Sequence, residues 1–160
     1  MKQYKERDKV ASFSLAGIDE KGKLFTFVLS EWLDKYENIV LYFYPRDNTT
    51  GCTQEAANFR DNLSKIIPKA AVVGVSTDSP ESHKKFMEKH DLNFVLLSDP
   101  EHKLMESFGV WGEKTTFGKT TNGTIRSTFI IGKDHTIKKE WRNVRIKGHV
   151  EDVIESLNQL

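Results

Sequence analysis

Cys52 is the single cysteine of this 160-residue chain, and no other residue is better suited to nucleophilic chemistry. It directly follows Gly51 and lies three residues after Thr49, where a strand-like apolar run gives way to a helical pattern. In the first turn of a helix, unpaired backbone N–H groups and the helix dipole stabilise a thiolate, which is the nucleophilic form of cysteine. The pattern therefore predicts a reactive cysteine, partly open to solvent at the end of a buried strand.

A lone thiol has a second interpretation, as a buried structural cysteine. The strand-to-helix position, the flanking Gly51 and the preceding threonines favour the nucleophile over this alternative. Thr49 also lies close enough in the chain to offer its hydroxyl group to the sulfur or to a bound oxygen. These local features predict a nucleophile, but they do not name its reaction.

The elements that position Cys52 follow from the hydrophobic periodicity. Residues 39–44 form a continuous β-branched and aromatic run, which predicts a central strand buried on both faces. Pro45 ends this strand because proline cannot donate to the hydrogen-bond ladder. A helical pattern begins at Thr49 or Thr50 and places Cys52 on its apolar face.

Strand and helix patterns alternate along the rest of the chain, which predicts one α/β domain over residues 1–160 with a mixed central sheet. Further strands are predicted at 12–15, 24–28, 71–75, 94–97, 125–131 and 136–141, the last two as a hairpin. Further helices are predicted at 30–36 with Ser30 as cap, from Ser79 onward, at 100–108 and at 149–157. The polar, glycine-containing residues 110–123 are predicted to form a long loop.

The amino-acid composition limits which binding partners and which cellular compartment we expect. Lys and Arg number 24 against 23 Asp and Glu, a net charge of +1 that favours neither nucleic acid nor a membrane as partner. A single cysteine excludes an intramolecular disulfide and a multi-cysteine metal site, and it is typical of a reducing compartment. Residues 1–8 are charged and lack the apolar core of a signal peptide. We therefore expect a soluble cytoplasmic protein.

Other kinds of site have weak support. Glu55 occupies the second position of a would-be Cys-x-x-Cys pair, which excludes a disulfide oxidoreductase. The five histidines have no ligand spacing and no recognisable pairing with Cys52, so we predict surface positions for them and expect no metal or cofactor. The basic stretch that follows residue 137 is interpreted as a solvated strand face with Trp141, Val144 and Ile146 partly buried.

The spacing Pro45-x-x-x-Thr49-x-x-Cys52 resembles the active-site signature of the peroxiredoxins. Residues 42–61 are similar to the peroxiredoxin Q or bacterioferritin comigratory protein branch of that family. Further similar stretches lie at 110–114, 126–131 and 148–149, so the resemblance covers nearly the whole chain in the expected order. It implies a thioredoxin-like fold, with a mixed central sheet flanked by helices and extra N-terminal strands.

The resemblance also implies a role for each residue that matches the signature. Cys52 corresponds to the peroxidatic cysteine, which is the residue that attacks the peroxide. Thr49 then hydrogen-bonds the sulfur and the peroxide, and Pro45 shields the thiolate from water. Arg126, expected on a strand, holds the thiolate charged and polarises the peroxide oxygens.

Two further residues, Glu55 and Trp111, are candidates to support this site. The open alternative for Glu55 is an acid that interacts with the helix dipole, and for Trp111 it is a core aromatic residue. The reaction implied is attack of the Cys52 thiolate on the terminal oxygen of hydrogen peroxide or an organic hydroperoxide. Its products are a sulfenic acid and water or an alcohol, and its role would be antioxidant defence and redox homeostasis.

One departure from the family pattern concerns the second half of the cycle. Many relatives carry a resolving cysteine five residues after the first, and here that position is Ala57. The chain is therefore expected to be a one-cysteine peroxidase whose sulfenic acid is reduced by thioredoxin, glutaredoxin or a small thiol. Whether Ala57 is natural or an engineered replacement stays open, as does the alternative of a non-enzymatic redox sensor or chaperone-like protein. A monomer is expected rather than a dimer.

Overall fold

A seven-stranded sheet forms the centre of this computed structural model, which describes residues 3–160. The strands of this sheet are β1 (Ser14–Ile18), β2 (Leu24–Val28), β3 (Asn38–Phe43), β4 (Ala70–Ser76), β5 (Val95–Ser98), β8 (Ser127–Gly132) and β9 (Ile137–Arg142). Two further strands, β6 (Trp111–Thr116) and β7 (Lys119–Thr124), form a separate two-stranded sheet. The helices are α1 (Leu29–Lys35), α2 (Thr50–Ile66), α3 (Pro80–His90), α4 (Lys103–Ser107) and α5 (His149–Asn158). Met1 and Lys2, which the predicted domain includes, lie outside the described residues.

The sheet is mixed, as predicted, and its strand order is β2-β1-β5-β4-β3-β8-β9. The strands β3, β4 and β5 run parallel, whereas β8 is antiparallel to β3 and β1 is antiparallel to both β2 and β5. The apolar run at 39–44 is confirmed as the interior strand β3, whose last five residues are all buried. Both of its faces are covered, which explains why its sequence does not alternate between apolar and polar residues.

Each face of the sheet carries its own hydrophobic core. Apolar residues of α1 and α4 cover one face, and those of α2, α3 and α5 cover the other. Successive residues of β3 point to opposite faces, so Leu41 and Phe43 belong to the first core while Val40 and Tyr42 belong to the second. Cys52 contributes to the second core, together with Phe59 from the same helix.

The predicted loop at 110–123 is wrong, because β6 and β7 form an antiparallel hairpin there. The residues of β7 are mostly exposed, so they show no apolar alternation that would reveal a strand. Phe117 and Gly118 make the turn, both with positive φ (53° and 77°). Positive φ is common for glycine but uncommon for phenylalanine, so the pair Phe117-Gly118 does not match the sequence patterns that usually predict a hairpin turn.

Three other predicted boundaries need correction. Ser30 lies inside α1, which begins at Leu29 after Val28 as the capping position. The strand predicted at 12–15 is β1 (Ser14–Ile18), in which Gly17 lies so close to β5 that a side chain would clash. The helix predicted at 100–108 is the shorter α4, because the Asp99 carboxylate accepts the N–H groups of Leu104 and Met105.

The surface positions predicted for the histidines are wrong for His83 and His149, whose side chains are buried. Both rings are hydrogen-bonded inside the protein, and that pairing is what allows a polar ring to be buried. The partly buried state predicted for Trp141 is confirmed, as it is for Val144 and Ile146. Within residues 3–160, none of the helices combines the length and the apolar character needed to cross a membrane.

Candidate active site

Six residues connect β3 to α2, and we call them the β3–α2 segment (residues 44–49). Pro45 lies two residues after the last residue of β3, and Asn48 has φ of 62°, a left-handed conformation that asparagine tolerates well. Thr49 is extended and occupies the N-terminal capping position of α2, where its carbonyl accepts the N–H of Thr53 at 2.9 Å. This turn places Cys52 in the first turn of α2, as the sequence predicts.

Cys52 is buried, with only 1% of its surface exposed, so the expectation of a partly open thiol is wrong. Its side chain belongs to the core between α2 and the sheet, because it lies on the same helix face as Ala56 and Phe59. Arg126 and Ile146 pack closely against Gly51. A Cβ atom at Gly51 would lie 3.3 Å from Arg126 Nη2, so glycine leaves room for the guanidinium group.

The pairing of the antiparallel strands β3 and β8 places Arg126 beside Cys52. Ser127, the first residue of β8, pairs with Phe43, the last residue of β3. Arg126 is therefore next to the end of β3, although the prediction that it lies on a strand is wrong by one residue. Its Nη2 atom donates to Cys52 Sγ at 3.4 Å, and its Nη1 atom donates to Glu55 Oε1 at 2.6 Å.

The arginine stays positively charged in this setting. Burial acts against the charge of Arg126, but the nearby charges of Glu55 and Cys52 outweigh it and raise the pKa above its ordinary value. A fixed cation at hydrogen-bonding distance stabilises a thiolate relative to a thiol. The geometry thus combines a helix N-terminus and a guanidinium group around one sulfur atom, an arrangement suited to nucleophilic attack on a polar bond.

Glu55 lies beneath Arg126 and has only 1% of its surface exposed. One carboxylate oxygen accepts from Arg126, while Oε2 has no hydrogen-bond partner among residues 3–160. Burial raises the pKa of Glu55 to about 7, with Arg126 pulling it back toward the ordinary value. The structure therefore brings Glu55 into direct contact with Arg126, which itself contacts Cys52, and the supporting role of Glu55 stays a prediction.

Replacing Glu55 by glutamine is expected to change how stability depends on pH. The unfolded carboxyl titrates near 4.5 and the folded one near 7, so the folded protein binds this proton more tightly. The resulting stabilisation is full below pH 4.5 and is lost as the pH rises to about 7. Relative to wild type, Glu55→Gln should become more stable across this interval by roughly 3 kcal/mol.

Urea unfolding at about pH 5 and about pH 8 measures this effect as a difference between the two proteins. The matched control is Glu88→Gln, which removes the same formal charge from an exposed position on α3. Its free energy of unfolding should keep a constant offset from wild type. The expectation for Glu55 is contradicted if Glu55→Gln behaves in the same way as this control.

Thr49 differs from the arrangement that the resemblance implies. Its Oγ1 atom donates to the Arg46 carbonyl at 2.9 Å, and within residues 3–160 no hydrogen bond joins it to Cys52. A hydroxyl group has two acceptor lone pairs besides its hydrogen. With its hydrogen directed to Arg46, the exposed Thr49 hydroxyl can still accept a hydrogen bond from a bound molecule.

A cleft of about 570 Å³ opens beside the site. Pro45 and Arg126 both line it, and so does Lys114 of the β6–β7 hairpin. Burial lowers the pKa of Lys114, and the charge of Arg126 lowers it further. Sequence reasoning missed Lys114 as a site residue, although it lies in the similar stretch 110–114.

Trp111 is not part of this arrangement. It is half-buried on β6 and packs against the core on the opposite face of the sheet from Cys52. Its ring stacks on His102, with ring centroids 4.0 Å apart and planes within 2°. This placement favours the alternative interpretation of Trp111 as a core aromatic residue.

Ala57, at the position where the resemblance implies a resolving cysteine in many relatives, lies on α2 and is half-buried. Since Cys52 is the only cysteine of the chain, no intramolecular disulfide can form.

Among residues 3–160, no cluster of three or more histidine, cysteine or acidic side chains is arranged to hold a metal ion. Sequence reasoning also missed Asp47, a buried carboxylate of the β3–α2 segment.

Comparison with known proteins identifies relatives over most of the chain. Residues 7–140 match the profile of the family described as AhpC/TSA. The chain is 50% identical to the peroxiredoxin Bcp of Bacillus subtilis over 136 residues, which cover 84% of this chain and 85% of that protein. It is 42% identical to the peroxiredoxin Bcp of Escherichia coli over 125 residues, with coverages of 77% and 80%.

Solved structures give the same picture. Peroxiredoxin Q of Xylella fastidiosa superposes with a TM-score of 0.86 at 33% identity, covering 99% of this chain and 98% of that one. The bacterioferritin comigratory protein of Xanthomonas campestris, described for its alkyl peroxide reduction activity, gives a TM-score of 0.78 at 33% identity. That match covers 91% of this chain and 90% of the other.

Proposed function

Because this chain belongs to the AhpC/TSA family, as a peroxiredoxin of the Bcp and peroxiredoxin Q type, we propose that it reduces hydroperoxides with Cys52 as its one redox-active residue. Its fold is thioredoxin-like, and its class is that of thiol peroxidases, oxidoreductases that act on peroxides and use thiols as reductants. The observation that carries the residue assignment is the 3.4 Å contact between Arg126 Nη2 and Cys52 Sγ at the start of α2. Hydrogen peroxide and organic hydroperoxides are the proposed substrates, and antioxidant defence and redox homeostasis the proposed role.

The first step is attack of the Cys52 thiolate on the terminal oxygen of the hydroperoxide. The sulfur–oxygen bond forms as the oxygen–oxygen bond breaks, and the hydroxyl group moves to sulfur as a sulfenic acid. The other oxygen leaves with the bonding electron pair and takes a proton, which gives water or an alcohol. Sulfur is oxidised by two electrons and the peroxide is reduced by two.

Arg126 and the N-terminus of α2 lower the barrier to this step. Negative charge moves from the sulfur to the leaving oxygen, so a fixed cation beside the sulfur is well placed to stabilise both ends of the transfer. Thr49 supplies an acceptor for the hydrogen of the hydroperoxide, and this keeps the terminal oxygen directed at the sulfur. Pro45 lines the cleft next to Arg126 and limits the access of water to the thiolate.

The second step needs a reductant from outside the chain, because the resolving position is Ala57. A thiol attacks the sulfenic sulfur, water leaves, and a mixed disulfide forms between Cys52 and the reductant. A second thiol then releases reduced Cys52. Thioredoxin, glutaredoxin and small thiols are the proposed reductants, and the monomeric state and cytoplasmic location expected from the sequence stay predictions.

Trapping of the oxidised sulfur tests this proposal. Reduced protein treated with one equivalent of hydrogen peroxide is expected to form a dimedone adduct on the peptide that contains Cys52, as measured by mass spectrometry. Without a thiol, the protein should consume peroxide only stoichiometrically, one equivalent for the sulfenic acid and at most one or two more by overoxidation. With thioredoxin, glutaredoxin, glutathione or dithiothreitol, consumption should continue for at least one of the four.

Two results would contradict the proposal. Absence of a dimedone adduct in wild-type protein would remove Cys52 from the reaction. Oxidation once, with no turnover by any of the four reductants, would identify a redox sensor instead of an enzyme.

A further inference from the structure

The carboxylate of Asp47 is the centre of a buried hydrogen-bond network in the β3–α2 segment, with 7% of the residue exposed. Its Oδ1 atom accepts from the Tyr44 hydroxyl at 2.6 Å, and its Oδ2 atom accepts from the Ser82 hydroxyl at 2.8 Å. His83 Nδ1 lies 2.8 Å from the same Oδ2 atom. The backbone N–H of Asp47 donates to Asp78 at 2.8 Å, so both its side chain and its main chain are held.

His83 is completely buried on α3, and both of its ring nitrogens face acceptors. Nε2 lies 2.8 Å from the carbonyl oxygen of Leu97, which can only accept, so Nε2 carries a hydrogen. The second proton lies between Nδ1 and the Asp47 carboxylate. Two hydroxyl groups also donate to that carboxylate, so His83 and Asp47 form a buried pair whose hydrogen bonds are all made within the protein.

We propose that His83 is a positioning residue of the peroxidase, which acts through Asp47 to hold the β3–α2 segment in the conformation that delivers Pro45 and Thr49 to the site. The proposal rests on the proposed function and adds a residue that touches neither the peroxide nor Cys52. Asp47 lies two residues from both Pro45 and Thr49, so its displacement would move both of them.

The other hydrogen bonds of the segment each involve a single side chain or N–H group, such as the one from the Tyr44 N–H to the Val75 carbonyl and the one between Asn48 and His90. The segment lacks regular secondary structure, and Asn48 within it adopts a left-handed conformation. Asp47 joins the segment to α3 through Ser82 and His83, and to the end of β4 through Asp78. These elements pack into the sheet, so the network transfers their rigidity to the loop that precedes Cys52.

The His83–Asp47 pair contributes more to the orientation of the β3–α2 segment than to the stability of the fold. Taking polar groups out of water costs about as much as their new hydrogen bonds return, so a buried polar pair adds little over well-packed apolar side chains. Its hydrogen bonds are directional, however, and they fit only one placement of Asp47. A reacting group displaced by about 1 Å can lose roughly a hundredfold in rate, so small movements of the segment have large consequences.

The test compares the rate at which Cys52 reacts with two reagents in the same protein. In His83→Ala, the second-order rate constant for oxidation by hydrogen peroxide is expected to fall by roughly tenfold or more. Alkylation of Cys52 by iodoacetamide uses the same thiolate but no peroxide-positioning groups, so its rate should not fall in parallel. Asp47→Asn, which preserves the side-chain volume, is the second variant and should show the same selective loss.

A double-mutant cycle adds a readout that a purely structural role would not change. If His83 acts through the segment, the effects of His83→Ala and Thr49→Val on the logarithm of the peroxide rate should be clearly less than additive. The matched control is Met87→Ala, which truncates a buried side chain of α3 that packs in the core near Gly22. It should lower the melting temperature and leave the peroxide rate unchanged.

The proposal is overturned if folded His83→Ala or Asp47→Asn reacts with peroxide at the wild-type rate, or if the two effects in the cycle are fully additive. An equal loss of the peroxide and iodoacetamide rates also overturns it, since that result indicates general damage to the site. Wild-type protein is the reference in every case. A wild-type protein that forms no sulfenic acid would instead refute the proposed function.

Discussion

A Cys52→Ser variant is expected to reduce no hydroperoxide above the uncatalysed rate, whichever thiol is supplied. Serine has nearly the same size, so the buried site should keep its packing around the substituted atom. Its hydroxyl group remains protonated at neutral pH and offers no equivalent of the thiolate. Peroxide consumption with each of the four reductants measures the loss, and circular dichroism checks that the fold is retained.

The control for this variant moves the only thiol along the same helix. In Cys52→Ser with Ser64→Cys, the chain again has one cysteine, but it lies at an exposed position of α2 far from Arg126. This protein should react with peroxide no faster than a free thiol does. Retained peroxidase activity in Cys52→Ser alone would refute the assignment of Cys52 as the nucleophile.

Replacing Arg126 by alanine is expected to slow the reaction of Cys52 with peroxide by roughly a hundredfold to a thousandfold, the usual effect of losing one preorganised donor at a developing charge. Arg126→Lys should recover only part of the rate, because an ammonium group cannot donate to Cys52 and Glu55 through a rigid fork. Stopped-flow measurement of the second-order rate constant separates these variants.

Two comparisons keep this result interpretable. Alanine at position 126 leaves Glu55 buried without its partner, so Arg126→Ala should also be made with Glu55→Gln to remove that charge. The matched surface control is Arg145→Ala, which removes an exposed cation from the segment before α5 and should retain the wild-type rate. A wild-type rate in Arg126→Ala would exclude Arg126 from the site.

The position of Cys52 could be predicted from local sequence because each of its determinants is local. Pro45 stops β3, and a helix begins within five residues, so the strand-to-helix turn can be identified without tertiary structure. Arg126 is different. Its place beside the sulfur depends on the pairing of β8 with β3, which lie more than 80 residues apart, and only the family resemblance indicated it.

The buried polar residues were missed because sequence patterns assign polar residues to the surface by default. His83 and Asp47 are buried because each satisfies the other, and their pairing across 36 residues leaves no periodic signal. The β6–β7 hairpin was missed for the opposite reason, since its strands are held by backbone pairing while their side chains remain largely in solvent.

The burial of Cys52 also has a consequence for the timing of the catalytic cycle. In the proposed cycle, a protein reductant such as thioredoxin is too large to reach a sulfur atom that is 1% exposed, so the first turn of α2 would have to open before each repair by such a partner. With a protein reductant, the waiting time of the sulfenic acid would then depend on how often that turn opens as well as on the supply of reductant. During this wait a second peroxide can carry the sulfur on to the sulfinic acid, which has no simple thiol repair. For repair by a protein reductant, the opening frequency of one helical turn would thus influence how many cycles a molecule completes before it is lost.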